Sequence, residues 1–460
     1  MSERIKGVGA PDNTSTDIHI DTDYNKSFGE KPSVYFDGKQ FVPKWLSDEI
    51  MCSYAFKTVD DTDEILVYRE GVYRPGGEHI IESVAQARLS SRSNNRYIKE
   101  TVGHIQRATR CARSEFDNDK NIINLDNGLF HLDTMELSEH TPSYLSTQKS
   151  PITYDPDATC PMITWLLNDV LQSQDVPFML EMYGYALMQQ KRMNTAVFLI
   201  GSGRNGKSTL MDILQEFVGK DLCSDITPTQ MGSDDKFAVA DIYGKLVNKI
   251  DDLGETPLHD LGRFKSIVDS RAVRAERKFE KPFTFVPNAL CIFGCNELPR
   301  TKDTSDGFFS RVRVISFLNK YTGDSDDKNI KDKLLVKSEL SGLFNIAIAA
   351  AKTAVERGEF SGGKSITDKQ HEYTYASNPI ALFVDTMCDI NDPDNIILKD
   401  ELYNQYILWS RDNKIQVFSK KLLTIHLSEI GVTIKRSSEE ERKYYYIGIA
   451  MKGQLVFGDF

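Results

Sequence analysis

The stretch FLIGSGRNGKSTLMDIL, residues 198–214, constrains the fold more than any other part of the chain. With the residues before it, TAVFLI (195–200) forms a continuous apolar, β-rich run of the kind a parallel strand buried on both faces shows. After Ser208, Leu210, Ile213, Leu214 and Phe217 recur at helical spacing, and Gly219 can end the helix. The glycines between follow G-x-x-x-x-G-K-S. Strand, loop and helix in this order are the context a phosphate loop requires. Gly201, Ser202, Gly203, Arg204, Asn205, Gly206, Lys207, Ser208 and Thr209 are then the nucleotide-binding residues. Backbone N–H groups and the helix N-terminus hold the phosphates, Lys207 reaches the β and γ oxygens, and Ser208 binds Mg²⁺.

The same spacing recurs in RGEFSGGKSITDKQ, residues 357–370, but without that context. A helical run, LFNIAIAAAKTAVER (343–357), precedes it, so Gly358 reads as a helix C-cap. ITDKQHEYTYASNP after it carries no apolar helical stripe, and Gly362-Gly363-Lys364 reads as a flexible surface linker. One nucleotide site is expected, not two.

Two carboxylates end the next strand-like run: GKLVNKIDDLGE (244–255) closes on Asp251 and Asp252. In a phosphate-loop enzyme one acid at a strand end holds Mg²⁺, here Asp251, and its neighbour orients the attacking water, here Asp252. Asp-Asp-Leu-Gly is also ordinary turn composition. A third buried run, NALCIFGCNELPR (288–300), ends in Asn296, placed to sense a γ-phosphate or simply to cap. SDGFFSRVRVISF (305–317) sets Arg311 and Arg313 at the start of an apolar strand. Arg311 is the candidate arginine finger for a neighbouring subunit, and Arg313 the better candidate for a structural ion pair.

Taken in order, GSGRNGKST, NKIDDLGE, FKSIVDSRAVRAERKFEKPFTF, CIFGCNELP and SDGFFSRVRVISF resemble the superfamily 3 helicases, in particular the helicase portion of phage, plasmid and poxvirus-type primase–helicases. NGLFHLDTMELSEHTP and YDPDATCP resemble the segment these proteins carry before the ATPase. The resemblance covers roughly residues 40 to 455. It implies an α/β fold: an AAA+-type P-loop NTPase core with an α/β N-terminal region and a C-terminal winged-helix-like domain. Lys207, Asp252, Asn296 and Arg311 would be catalytic, Ser208 and Asp251 would hold Mg²⁺, and ATP would be the nucleotide. AAA+ proteins commonly have Asp-Glu where this chain has Asp-Asp, which leaves the catalytic base as Asp252 or Glu255. A polymerase-type primase domain has no room before the ATPase here, so primase activity is not expected.

The expected organisation is a disordered lead (1–30), an N-terminal α/β region (31–160), a helical collar (161–195), the ATPase core (196–330), a helical lid and linker (331–377) and the winged-helix-like domain (378–460). The lead offers Asp21 and Asp23 as a D-x-D pair, read as a solvated tail. Residues 162–193 are helical by period, with Trp165, Leu166, Val170, Met179, Met182, Tyr183 and Leu187 as core positions. No secretory signal or membrane-spanning run is evident, and the seven cysteines form no C-x-x-C pair. These features predict a cytoplasmic protein with no membrane partner, in a host cell's cytoplasm if viral.

Net charge is −11, which on its face disfavours a nucleic-acid binder. Residues 263–302, however, carry nine Lys and Arg against four Asp and Glu. Within them VRAERKFEKPFTF alternates and turns at a charged tip, as a hairpin does. The resemblance places this hairpin in the channel of a ring, so Arg277, Lys278 and Lys281 are the candidate DNA-binding residues, with Phe279 available to stack. The C-terminal piece reads as three helices and a hairpin, a module for DNA or for protein. The function expected is an ATP-dependent helicase, a homo-oligomer and by resemblance a hexameric ring, moving on single-stranded DNA in phage, plasmid or mobile-element replication. A separate primase, initiator or loader is a possible partner. The alternatives are an ATP-gated initiator or loader that does not unwind, and an ATP-driven packaging or remodelling motor.

Overall fold

Five short strands assemble the central sheet in a computed structural model that describes residues 32–452 apart from 190, 192, 233–235, 255, 259–260, 279–281, 300, 302–304, 323–326, 328, 378, 391, 414–416 and 437–442. They are β1 (Ala196–Ile200), β2 (Cys223–Ser224), β3 (Val247–Ile250), β4 (Leu290–Cys295) and β5 (Val312–Ser316). All pairings are parallel, in the order β2-β3-β4-β1-β5. Every residue of β1 and β4 is buried, as expected of strands covered on both faces. The connection leaving β1 runs to the β2 edge, whereas the one leaving β4 passes β1 to reach β5. The carboxyl ends of β1 and β4 therefore flank a topological switch point, the place where open parallel sheets bind ligands.

Strand alternation divides the core between the two faces of β1. Val197 and Leu199 pack with the helices Lys207–Val218, Val176–Leu187 and Lys337–Arg357, through Leu210, Phe217, Tyr183 and Phe344. Ala196, Phe198 and Ile200 pack with Phe264, Phe293, Phe308 and Tyr373. The long helix Lys337–Arg357 approaches Val176–Leu187 so closely that a Cβ on Gly184 would lie 2.1 Å from the Ala347 carbonyl oxygen. Glu339 on that helix accepts the N–H groups of Met162 and Ile163 (3.2 and 2.9 Å), capping Pro161–Val170 from a distance.

Residues 162–193 are not one helix but two, Pro161–Val170 and Val176–Leu187, each with a proline in its first turn. Proline is suited to that first turn and not to an interior, so Pro177 begins a new helix. Trp165, expected in the core, is 52% exposed, while Leu166, Val170, Met179, Met182, Tyr183 and Leu187 are buried. Before these helices an antiparallel meander of Ile122–Leu125, Gly128–His131 and Glu136–Ser138 turns through Asp126 and Asn127, with Leu125 opposite Gly128.

Residues 31–160 read as one region in sequence, but the chain divides within them. The first unit comprises the described residues up to Thr58 together with 65–67 and 75–110. It holds helices Pro43–Ser53, Gly77–Leu89 and Asn95–Ala108 around Leu46, Ile50, Ile81, Leu89 and Ile105. Asn94 caps the last of them, its side chain accepting the Tyr97 N–H at 3.0 Å. The second unit holds 59–64, 68–74 and everything from Cys111.

The second G-x-x-x-x-G-K-S stretch connects two helices. Gly358 caps Lys337–Arg357 with φ 84°, as its position after the helix predicts. The residues beyond Gly358 are tied down rather than a flexible linker, contrary to the expectation from their composition. Ser361 donates its N–H and hydroxyl to Glu181 (2.7 and 2.6 Å), and the Gly362 carbonyl accepts from Arg313. The stretch without an apolar stripe is a helix, Ile366–Ser377, in which Tyr373 is 1% exposed among Phe198, Phe308 and Phe309 with its hydroxyl on the Pro299 carbonyl at 2.7 Å, and Lys369 donates to the Ser310 carbonyl at 3.0 Å. A large buried aromatic with a bonded hydroxyl anchors a helix whose periodicity is weak.

At the C-terminal end, helices Pro379–Met387, Lys399–Asp412 and Lys420–Glu429 pack with a three-stranded antiparallel sheet. Its strands are Ile396–Leu398, Tyr444–Ile447 in the centre, and Thr433–Arg436. Phe383, Leu402, Tyr406, Leu423 and Tyr446 form their core.

Candidate nucleotide site

The loop from Gly201 to Gly206 leaves the carboxyl end of β1 and enters the helix Lys207–Val218. Its shape needs left-handed backbone at Gly203 (φ 87°), Arg204 (φ 51°) and Gly206 (φ 89°). Gly206 precedes the helix and has no side chain to cap it, and the Lys207 N–H donates to Asn205 Oδ1 at 3.5 Å. A Cβ on Gly201 would lie 1.9 Å from Asn205 Nδ2, so the loop closes only with glycine there. That same Nδ2 is buried with no hydrogen-bond partner, a donor aimed into the loop.

Lys207 lies within this loop at 6% exposure. Its ammonium donates to the Gly201 carbonyl and, at 3.4 Å, to Asn205 Oδ1. Burial lowers its pKa, a shift that the Cys295 thiol and the Asp252 carboxylate partly oppose. Ser208 is exposed at the helix start and Thr209 is half-buried behind it; Ser202 and Arg204 are exposed. Leu253 N–H donates to the Gly294 carbonyl (2.7 Å) and Gly201 N–H to the Cys295 carbonyl (3.2 Å). These two bonds bring the ends of β1, β3 and β4 together, with Asp251, Asp252 and Asn296 exposed at the same edge.

The two aspartates have different surroundings. Both oxygens of Asp251 accept from Lys249 at 2.9 Å, and Lys249 is itself buried. Asp252 is the acid whose charge bears on Lys207. Lys249 was missed in the sequence, although strand alternation puts residues 249 and 251 on one side. Glu255, the other candidate base, lies outside the described residues.

Arg311 sits just before β5, at the amino edge of the sheet. Since Ala196 pairs with Val312 and Ile200 with Ser316, its own loop lies one strand length away, about 16 Å at the usual rise. Its guanidinium is held by Asp269. Arg313, in contrast, is interior: 6% exposed, 3.5 Å from Asp175, and 4.7 Å over the Phe178 ring.

The basic hairpin is formed by Val273–Ala275 and Phe283–Phe285, with Val273 opposite Phe285. Lys278 is exposed at its turn. Arg277 packs 5.8 and 5.6 Å over Tyr243 and Phe283, the two rings that Arg113 also covers at 4.6 and 4.9 Å. Arg113 is fixed in turn by Asp61, through two bonds of 2.9 and 2.7 Å. Phe279 and Lys281 lie outside the described residues. In the C-terminal piece Lys420 pairs with Asp400, and Lys435 and Arg436 are exposed.

Residues 38–172 match the family described as D5 N terminal like, and residues 199–313 match a family of unknown function, DUF5906. The fold is similar to the apo C-terminal region of NrS-1, with a TM-score of 0.51 at 12% identity, over 89% of this chain and 99% of that one. Three viral proteins that carry the name "putative helicase" are also similar. The one from Acanthamoeba polyphaga mimivirus is 26% identical over 48% of this chain and 24% of its own length. Those from Invertebrate iridescent virus 6 and Invertebrate iridescent virus 3 are each 23% identical, over 68% and 52% of this chain. The chain is primase–helicase-like. It spans between 24% and 37% of the length of these viral relatives. Among the described residues of this primase–helicase-like chain, no helix is long and apolar enough to cross a membrane.

Proposed function

We propose that the chain is the motor of an ATP-dependent ring helicase of superfamily 3, with an AAA+-type core, acting on single-stranded DNA in the replication of a virus or mobile element. One observation carries this reading: Lys207 is buried in a glycine loop at the switch point of a parallel sheet, within reach of the Asp252 charge. The loop fits a triphosphate on its own evidence, since the Asn205 Nδ2 is a buried donor with no protein acceptor beside a helix start whose N-cap is glycine. ATP with Mg²⁺ supplies the phosphoanhydride whose hydrolysis drives the motor. Lys207 neutralises phosphate charge, Ser208 and Asp251 hold the metal, Asp252 takes a proton from the attacking water, and Asn296 orients that water.

Oligomerisation is part of the proposal, because Arg311 lies a strand length from its own loop and, as an arginine finger, would serve another copy's site. The C-terminal helices and sheet are read as a winged-helix-like module. Its exposed Lys435 and Arg436 support a nucleic-acid or protein contact there. The test is ATP hydrolysis with and without single-stranded DNA. Stimulation by DNA together with strand displacement that needs hydrolysable ATP is the expected result. Hydrolysis indifferent to DNA overturns it in favour of a remodelling motor. Binding of DNA gated by non-hydrolysable ATP, without strand displacement, overturns it in favour of an initiator or loader.

A further inference from the structure

Between residues 88 and 110 the chain carries six Arg and Lys against a single acid, within a protein of net charge −11. This segment belongs to the first unit and includes its helix Asn95–Ala108. The inward face of that helix supplies Thr101 and Ile105 to the core. The outward face presents Arg96, Lys99, Gly103, His104 and Arg107, which recur at three- and four-residue steps. Together with Lys44 and the start of helix Pro43–Ser53, they line a groove of about 750 Å³.

We propose that this groove binds the phosphodiester backbone of a nucleic-acid strand, a contact separate from the hairpin and independent of the ATPase reading. Its cations run from Arg96 to Arg107, eleven residues or about 16 Å along the helix, which is enough to track several successive phosphates. The groove's one acid, Glu100, is engaged by Arg96 at 2.8 Å, and Lys44 is paired with Asp48 at 2.6 Å. Lys99 and Arg107 are exposed and carry the groove's attraction for an anion. Gly103 stands between them. Glycine in a helix interior costs about 0.5–1 kcal/mol relative to alanine, so its presence calls for a reason. A Cβ there would lie 3.1 Å from Arg107 Nη1, so glycine lets the guanidinium lie along the helix. Among the described residues the groove's only aromatic ring is the His104 imidazole, set among Arg96, Lys99 and Arg107, so its contacts are chiefly with phosphates, which position a strand without reading its sequence.

The test uses the whole chain, with binding of labelled single-stranded and duplex oligonucleotides of unrelated sequence measured by anisotropy across a salt series. Lys99→Glu with Arg107→Glu should weaken binding at least ten-fold at low salt. On a single strand it should also lower the slope of log K against log salt by about 1.4, the share of two lost phosphate contacts. Loss confined to one strand form assigns the groove to that form. Basal ATP hydrolysis and the melting temperature should stay at wild-type values, which distinguishes a lost contact from misfolding and from failure of the ATPase reading. Lys39→Glu with Lys57→Glu, in the same unit but outside the groove, is the charge control. Binding within two-fold of wild type, or an equal loss in the control, overturns the proposal. The groove would then be a site for an acidic protein segment.

Discussion

Arg311 and Asp269 form a bidentate ion pair, Nε to Oδ1 at 2.6 Å and Nη2 to Oδ2 at 2.7 Å, across 42 residues of sequence. The Asp269 side chain is 3% exposed and comes directly after the helix Gly262–Val268, so the pair locks that helix to the start of β5. This pair raises the Arg311 pKa and holds the side chain in a set direction. If Arg311 serves a neighbouring subunit, an Arg311→Ala subunit mixed with a Lys207→Ala subunit should recover hydrolysis at interfaces that join intact halves. Recovery should scale with their fraction. No recovery despite proven co-assembly would leave Arg311 a structural residue.

Lys207→Ala should abolish hydrolysis without lowering the melting temperature. It removes a desolvated ammonium held only by a carbonyl and a side-chain amide of its own loop. Lys364→Ala should leave hydrolysis unchanged, since Lys364 is an exposed residue paired with Glu372 in a segment that connects two helices. Hydrolysis assays on both purified variants check this pair. Normal turnover by the Lys207 variant would remove the phosphate-loop assignment.

If Asp251 holds Mg²⁺, Lys249, which binds both of its oxygens, would compete with the metal for it. Replacing Lys249 by Met should keep the stem's packing and free the carboxylate, so half-saturation of hydrolysis should occur at a lower Mg²⁺ concentration, by roughly two- to ten-fold. A Mg²⁺ titration decides the matter. An unchanged midpoint would mean that Asp251 is not the metal's acid, leaving Asp252 for that part.

Alanine at Arg277, Lys278 and Lys281 should spare basal hydrolysis and remove stimulation by single-stranded DNA. Arg277 already packs over Tyr243 and Phe283, and losing that contact alone should cost about 0.5–1 kcal/mol of stability. Lys278, exposed at the turn, should by itself lower the DNA response when replaced by alanine. Strand displacement at wild-type rate by the triple variant would reduce the cluster to ordinary surface.

Lys191 gives the protein a pH dependence. Its ammonium is buried against the carbonyls of Ala186, Met188 and Asn288 (3.2, 3.2 and 2.6 Å), and burial pushes its pKa down to about 7 from 10.5. The folded value lies below the unfolded one, so between pH 7 and 10.5 the unfolded chain binds more protons. Stability should rise with pH across that window. In Lys191→Met this contribution disappears, so the stability gap between the two proteins, followed by denaturant unfolding, should shift steadily in favour of wild type from about pH 7 to about pH 9.5.

By itself the sequence determined what is local. Residues 196–218 carry strand, loop and helix in one contiguous stretch, because burial period and glycine backbone freedom act over neighbouring residues. The hairpin at 273–285 and the cap at Gly358 were legible for the same reason. The tertiary structure alone decided whatever joins distant segments. Asp269 reaches Arg311, Glu181 holds Ser361, and Tyr373 buries itself between β1 and the 306–309 helix. It also decided which of two adjacent aspartates faces Lys207 and which turns to Lys249. No periodicity encodes these choices, because they depend on which strands become neighbours and on the side each residue presents once the sheet is packed on both faces.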